Sequence, residues 1–199
     1  MKNHKIVFAL LVVFFSCTLH LYAQKSSISM DYKEYYNTRG EQYRIVFVWN
    51  TKTGKSARYY YNQKKWYKSE VALPNNPTGD TSNQTGEIMM NYNEYYNTRG
   101  QQYRIVYVWN TRTGKSARYY YNQNKWHKSE VALPDNPTGD TSNQVGEIMM
   151  DYSEYYNPRG QQYRIVYVWN TKTGKSARYY YNQNKWHKSE VALPDKPLN

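Results

Sequence analysis

The chain has 199 residues, with 27 Lys and Arg against 15 Asp and Glu, a formal net charge of +12. Its aromatic content of 18% includes 25 Tyr and 6 Trp. This composition excludes a polytopic membrane protein, a coiled coil and a collagen-like fibre and argues against a wholly disordered chain, and a single cysteine excludes a disulfide framework.

At the N-terminus, Lys2, His4 and Lys5 precede the apolar run Ile6 to Phe15. A basic start and an apolar stretch too short to span a bilayer predict a signal peptide over 1–23, cut after Ala23. Ala23 followed by Gln24 resembles the signal ends common in Bacteroidota. Phe14-Phe15-Ser16-Cys17 offers a rival reading as a lipid-attachment site at Cys17. The Thr18 to Tyr22 run after it is a poor lipoprotein start, so cleavage after Ala23 is preferred. The expected location is secreted, periplasmic or at the cell surface. Cleavage removes Lys2 and Lys5, leaving 25 basic residues against 15 acids, or +10, and no cysteine.

Beyond the signal segment, the chain is one unit written three times. Trp49, Trp109 and Trp169 stand 60 residues apart, as do Trp66, Trp126 and Trp186. Residues 91–134 and 151–194 differ at four positions, and 31–74 differs from 91–134 at seven. The units occupy 28–74, 88–134 and 148–194. Between them, 75–87 and 135–147 are rich in Pro, Gly, Asn and Thr, and read as flexible linkers.

Inside a unit the period is two. Ile88 to Tyr96 predicts a first strand, with a short helix as the alternative. Tyr103, Ile105, Tyr107 and Trp109 alternate with Arg104, Val106 and Val108 in the next. Asn110 to Lys115 turns the chain, with Gly114 free to take positive φ. Ala117, Tyr119 and Tyr121 alternate in a further strand, Asn122 to Lys125 turns again, and Trp126 to Val131 makes a last one. The fold class is therefore all-β: three tandem antiparallel β-meanders of three or four strands. Units this small need their aromatics as core, and strands apolar on both faces can also pack unit against unit.

The run Val-Trp-Asn-Thr-x-Thr-Gly-Lys-Ser resembles the inner hairpin of β-propeller blades, which implies a tight turn joining two aromatic strands. Trp49, then Tyr59-Tyr60-Tyr61-Asn62 and Trp66, resembles the WW domain. Ser69 stands where that family carries Pro, so the resemblance implies no proline-binding groove. Neither likeness assigns a function.

Catalytic patterns are sparse. His127 and His187 are matched by Tyr67 in the first unit, which predicts an exposed aromatic rather than a shared catalytic or metal role. Glu34 with Glu70, repeated as Glu94 with Glu130 and Glu154 with Glu190, could form a glycosidase pair, but surface ion pairs with basic neighbours are the preferred reading. Asp80-Thr81 and Asp140-Thr141 read as solvated loop, with calcium a remote option. No catalytic or metal-binding residue, no cofactor and no enzyme activity is expected.

The chemistry with functional colour is a basic, aromatic surface. Arg104, Arg118 and Tyr120 are expected to share one sheet face, with Arg44, Arg58, Tyr60 and Arg164, Arg178, Tyr180 as equivalents. Such a face can stack sugar rings and pair with sulfate, phosphate or carboxylate. Export favours an anionic polysaccharide or envelope polymer over nucleic acid. The expectation is an exported, non-enzymatic repeat protein acting as a multivalent binding or adhesion array. The alternative is a structural spacer, or a self-assembling surface protein whose strands join edge to edge.

Overall fold

The computed structural model describes residues 27–36, 40–69, 72–81, 86–96, 101–129, 132–140, 147–157 and 159–189. The expected signal segment over 1–23, Cys17 included, the spacer residues 82–85 and 141–146, and Glu70, Glu130 and Glu190 lie outside the described residues. Unit one contributes strands β1 (Ile28–Tyr36), β2 (Gln42–Asn50), β3 (Ser56–Asn62) and β4 (Lys65–Ser69). Unit two has β5 (Ile88–Tyr96), β6 (Gln102–Asn110), β7 (Ser116–Asn122) and β8 (Lys125–Ser129). Unit three has β9 (Ile148–Tyr156), β10 (Gln162–Asn170), β11 (Ser176–Asn182) and β12 (Lys185–Ser189). Each unit is a four-stranded antiparallel meander, and Ile88–Tyr96 is strand rather than helix. Among the described residues no helix is long and apolar enough to cross a membrane.

The turns explain the register. The Asn50 side-chain carbonyl accepts the backbone N–H groups of Lys52 and Thr53, and Gly54 takes φ +70° to close the loop onto Asn50. Trp49 therefore sits opposite Ser56, Phe47 opposite Arg58 and Ile45 opposite Tyr60. The next hairpin turns on two residues, Gln63 and Lys64, both at positive φ, and sets Tyr61 opposite Trp66. Because side chains alternate, each sheet has two distinct faces. One carries Ile45, Phe47, Trp49, Arg58 and Tyr60. The other carries Met30, Tyr32, Glu34, Arg44, Val46, Val48, Tyr61 and Trp66.

The sheets stack, unlike face on unlike face. Ile45, Phe47 and Trp49 of unit one form a core with Met90, Tyr92, Val106, Val108 and Tyr119 of unit two. Unit two repeats the contact on unit three, with Ile105, Tyr107 and Trp109 against Met150, Tyr152, Val166, Val168 and Tyr179. Phe47 stacks on Tyr92 with ring centres 4.8 Å apart, and Tyr107 on Tyr152 at 4.7 Å. The Trp49 and Trp109 indoles donate across to the Ile88 and Ile148 carbonyls at 3.0 and 3.1 Å. Backbones of neighbouring sheets come within 8 Å only where β1 and β2 meet β5, and where β5 and β6 meet β9. The sheets are thus closest at their first strands and wider apart at the later ones, in the manner of propeller blades.

The linker expectation is corrected for the first half of the spacer. Pro77 and Thr78 are buried, as are Pro137 and Thr138. Pro77 lies so close over Gly54 that a Cβ there would meet its ring at 2.7 Å. Its carbonyl accepts the Tyr119 hydroxyl at 2.7 Å, and Pro137 accepts Tyr179 at 2.8 Å. Asp80 accepts from Asn110 at 3.1 Å and Thr113 at 2.6 Å, which seats it in the next unit's turn rather than in solvent. A polar composition hid this because one proline ring and a few backbone groups supply the contact.

Candidate functional site

The register separates the residues expected to share a face. Tyr107 opposes Arg118 and Ile105 opposes Tyr120, so Arg118 and Tyr120 lie on one face of the sheet and Arg104 on the other. The same holds for Arg44 against Arg58 and Tyr60, and for Arg164 against Arg178 and Tyr180. The single-face expectation is therefore wrong: the six residues between Trp109 and Ser116 set a parity that a strand-by-strand reading does not count, and a one-residue shift flips every side chain.

Two of the expected surface arginines are interior. Arg58 and Arg118 are 5% and 4% exposed, wedged between sheets. Arg58 donates to both carboxylate oxygens of Glu94 at 2.9–3.1 Å and to the Tyr92 hydroxyl at 2.9 Å. Arg118 does the same with Glu154 at 2.7–2.8 Å and Tyr152 at 2.9 Å. Tyr92 and Gln102 complete the shell around Glu94, and Tyr152 and Gln162 that around Glu154. Glu94 and Glu154 are thus ion-paired in the interior and across units rather than on the surface, whereas Glu34 pairs at the surface with Arg44 of its own unit at 3.5 Å, as expected. Burial works against each guanidinium charge; the tyrosine and glutamate facing it override this and raise its pKa. Burial, then the adjacent glutamate, pushes the Tyr92 and Tyr152 hydroxyls well above their ordinary range.

The other face joins an expected arginine to two aromatic residues outside the expected set. Arg104 on β6, Tyr121 on β7 and Trp126 on β8 form a row, with the guanidinium 5.0 Å from the Tyr121 ring centre and Tyr121 5.4 Å from Trp126. Unit three repeats it as Arg164, Tyr181 and Trp186, at 4.8 and 5.4 Å. Opposite each row stands the outer part of the preceding sheet. There Tyr60 stacks on Tyr67 at 5.4 Å, or Tyr120 on His127 at 5.2 Å. Tyr60 and Trp126 both pack on the core between the first two sheets. Tyr120, on one such wall, stays 37% exposed, so the outer strands border a cleft that solvent reaches. Counting parity through both turns, the six residues 110–115 and the two residues 123–124, would have placed Arg104, Tyr121 and Trp126 on one face.

The clefts hold donors without acceptors. The Arg104 and Arg164 Nε–H groups and the Trp126 and Trp186 indole N–H groups are buried and make no hydrogen bond. Arg104 Nε lies 3.8 Å from Glu94 and Arg164 Nε 3.8 Å from Glu154, too far for one. Buried unsatisfied donors are rare in native proteins, and these recur at equivalent positions in both clefts. A ligand rich in oxygen acceptors would satisfy them. In unit one, Arg44, Tyr61 and Trp66 form the same row with no sheet in front of it among the described residues, and Trp66 is exposed.

Elsewhere the chemistry is quieter. His127 and His187 are half-buried, stacked on Tyr120 and Tyr180. No cluster of three metal-ligating side chains occurs among the described residues. A second concavity of about 410 Å³ opens at the opposite end of the sheets, lined by Asp80, Arg112, Lys115, Asp135 and Pro137. Its Asp80 already holds the β6–β7 turn.

No protein-family model and no curated protein matches the chain. Among solved structures it is similar to a fucose lectin from Kordia zhangzhouensis in complex with methyl-fucoside. The TM-score is 0.52 at 16% identity, over 81% of this chain and 99% of that one. It is also similar to an endo-arabinase from Bacteroides thetaiotaomicron, at TM-score 0.48 and 12% identity, over 86% of this chain and 65% of that one. The lectin likeness establishes a shared fold of stacked β-sheets.

Proposed function

We propose that the protein is an exported, non-enzymatic carbohydrate-binding protein, whose clefts between consecutive sheets each take a saccharide. One observation carries this reading: two equivalent clefts, each with an orphaned arginine donor and an orphaned indole donor beside aromatic rings. Sugars offer hydroxyl and ring oxygens to such donors and a C–H face to aromatic rings, which few other ligands combine. The likeness in fold to a lectin supports a saccharide in particular. Each cleft brings two guanidinium groups to one glutamate, Arg58 and Arg104 with Glu94, or Arg118 and Arg164 with Glu154. That single surplus charge favours a glycan bearing carboxylate or sulfate, in keeping with the basic chain. The glutamate is held by Arg, Tyr and Gln, which suits a positioning role rather than proton transfer.

A glycan array spanning neutral, uronic-acid and sulfated sugars tests it, with Trp126→Phe and Trp186→Phe combined as the variant. The change removes both indole donors and keeps apolar packing. Binding to the best glycan should weaken by roughly 3- to 10-fold per cleft, the worth of one hydrogen bond, with thermal stability unchanged. Absence of glycan binding, or binding unaltered in the variant, overturns the proposal.

A further inference from the structure

Among the described residues, the two ends of the stack are uncovered halves of the contact made twice inside it. At one end, Ile28, Met30 and Tyr32 are 51%, 64% and 50% exposed, whereas Ile88, Met90 and Tyr92 are 9%, 4% and 0% exposed beneath unit one. At the other, Ile165, Tyr167 and Trp169 are half-buried, whereas Ile45, Phe47 and Trp49 are covered by unit two. The charges divide in the same way. Glu34 on the first face is the counterpart of Glu94 and Glu154, and Arg178 on the last face is the counterpart of Arg58 and Arg118.

The acceptor half is already assembled. Tyr32 donates to Glu34 at 2.6 Å as Tyr92 does to Glu94, Gln42 also donates to Glu34, and Arg44 donates to Gln42 at 3.0 Å as Arg104 does to Gln102. Among the described residues, no arginine from a preceding sheet reaches Glu34, and no glutamate from a following sheet reaches Arg178.

We infer that the last sheet of one chain packs on the first sheet of a second copy, repeating the internal contact. Tyr167 then stacks on Tyr32, Arg178 grips Glu34 and the Tyr32 hydroxyl, and Trp169 donates to the Ile28 carbonyl of the other copy. Such head-to-tail interfaces give rings when the rotation closes and filaments when it does not. Sheets that fan from their first strands close, and propellers have about four to eight blades. Units arrive three per chain, so the multiple in that range is six: two copies, each lending both faces. The same contact sets Tyr180 and His187 against Arg44, Tyr61 and Trp66, the walls of a further cleft. That last point rests on the saccharide reading; the association does not.

The experiment is the solution mass of the cell-processed protein, by sedimentation or light scattering, with no saccharide present. The expected mass is twice that of one chain. Arg178→Glu sets two carboxylates against each other and should weaken association on the order of 100-fold, with the near-ultraviolet circular dichroism retained. Combining it with Glu34→Arg restores opposite charges and should restore the dimer. A monomer at every concentration, an open-ended polymer, or a dimer indifferent to Arg178→Glu each overturns the inference. Because the readout needs no glycan, failure of glycan binding leaves it untouched.

Discussion

Arg118 and Arg178 stand in nearly identical sequences and in opposite surroundings. Arg118 is 4% exposed, bound by Glu154 and Tyr152 of the following unit. Arg178 occupies the same strand position with no sheet beyond it among the described residues. The contrast extends to Tyr152 and Tyr32, one at 3% and the other at 50% exposure. A unit's own sequence therefore does not decide which of its side chains are core; its neighbour does. Repeat proteins whose contacts run only to adjacent units are stabilised as a sum of unit and interface terms, and here the interface holds the largest buried groups.

The sharpest way to break this comparison is to cut the same residue in both places. Arg118→Ala leaves Glu154 charged, buried and short of its main partner, which costs about 3–5 kcal/mol. Arg178→Ala, measured at concentrations low enough to keep chains single, should fall within about 0.5 kcal/mol of the parent. Urea unfolding of the two variants reads the difference. Equal losses would mean that the interior pair carries no special weight.

A second way uses pH. The Tyr92 and Tyr152 hydroxyls are raised well above 10 by burial and then by Glu94 and Glu154, and the Tyr107 hydroxyl is raised by burial. A folded-state pKa above the unfolded value means that this stability is whole below pH 10 and is lost as pH climbs from there toward the folded value. Each such tyrosine removes about 1.4 kcal/mol per pH unit in that window. Denaturant midpoints should stay level from pH 7 to about 9.5 and then fall steeply. Tyr152→Phe should reduce the slope by one tyrosine's share, whereas Tyr32→Phe in single chains should reduce it less, because the Tyr32 hydroxyl is raised by its hydrogen bond to Glu34 at a site that solvent screens. Equal slopes for the two variants would erase the distinction between interior and end.

Much of the fold is legible in the sequence. A spacing of 60 marks the three units, period-two alternation marks their strands, and Asn110 to Gly114 marks the turn. The site is legible only in part, for two physical reasons. Arg58 stands 24 residues after Glu34 and 36 before Glu94, and near-identical units offer no way to tell a partner within a unit from one in the next. Face assignment needs the length of each turn, so reading strand by strand groups Arg104 with Arg118 and Tyr120 and passes over its true companions, Tyr121 and Trp126. Apolarity on both faces of the strands does signal the stacking. The edge-to-edge alternative finds less support: the last strand of each unit carries lysines, such as Lys65 and Lys68, which discourage pairing at an edge.

The smallest effect concerns a part of the unit that has no neighbour to depend on. Gln123 and Asn124 form the two-residue turn between β7 and β8 with φ of 49° and 62°, and both are exposed. Left-handed backbone costs a residue with a Cβ roughly 1–2 kcal/mol, less for asparagine, and almost nothing for glycine. A turn of this kind favours glycine at its second position. Asn124→Gly should therefore stabilise the protein, by about 0.5 kcal/mol once the greater freedom of glycine in the unfolded chain is set against the relief. Asn184→Gly, at φ 61° in the last unit, should give the same gain, because this turn touches solvent in both places. Thermal melts of the two variants measure it. Equal gains here, beside the unequal losses at Arg118 and Arg178, would locate positional dependence at the sheet faces; unequal gains would extend it to the turns.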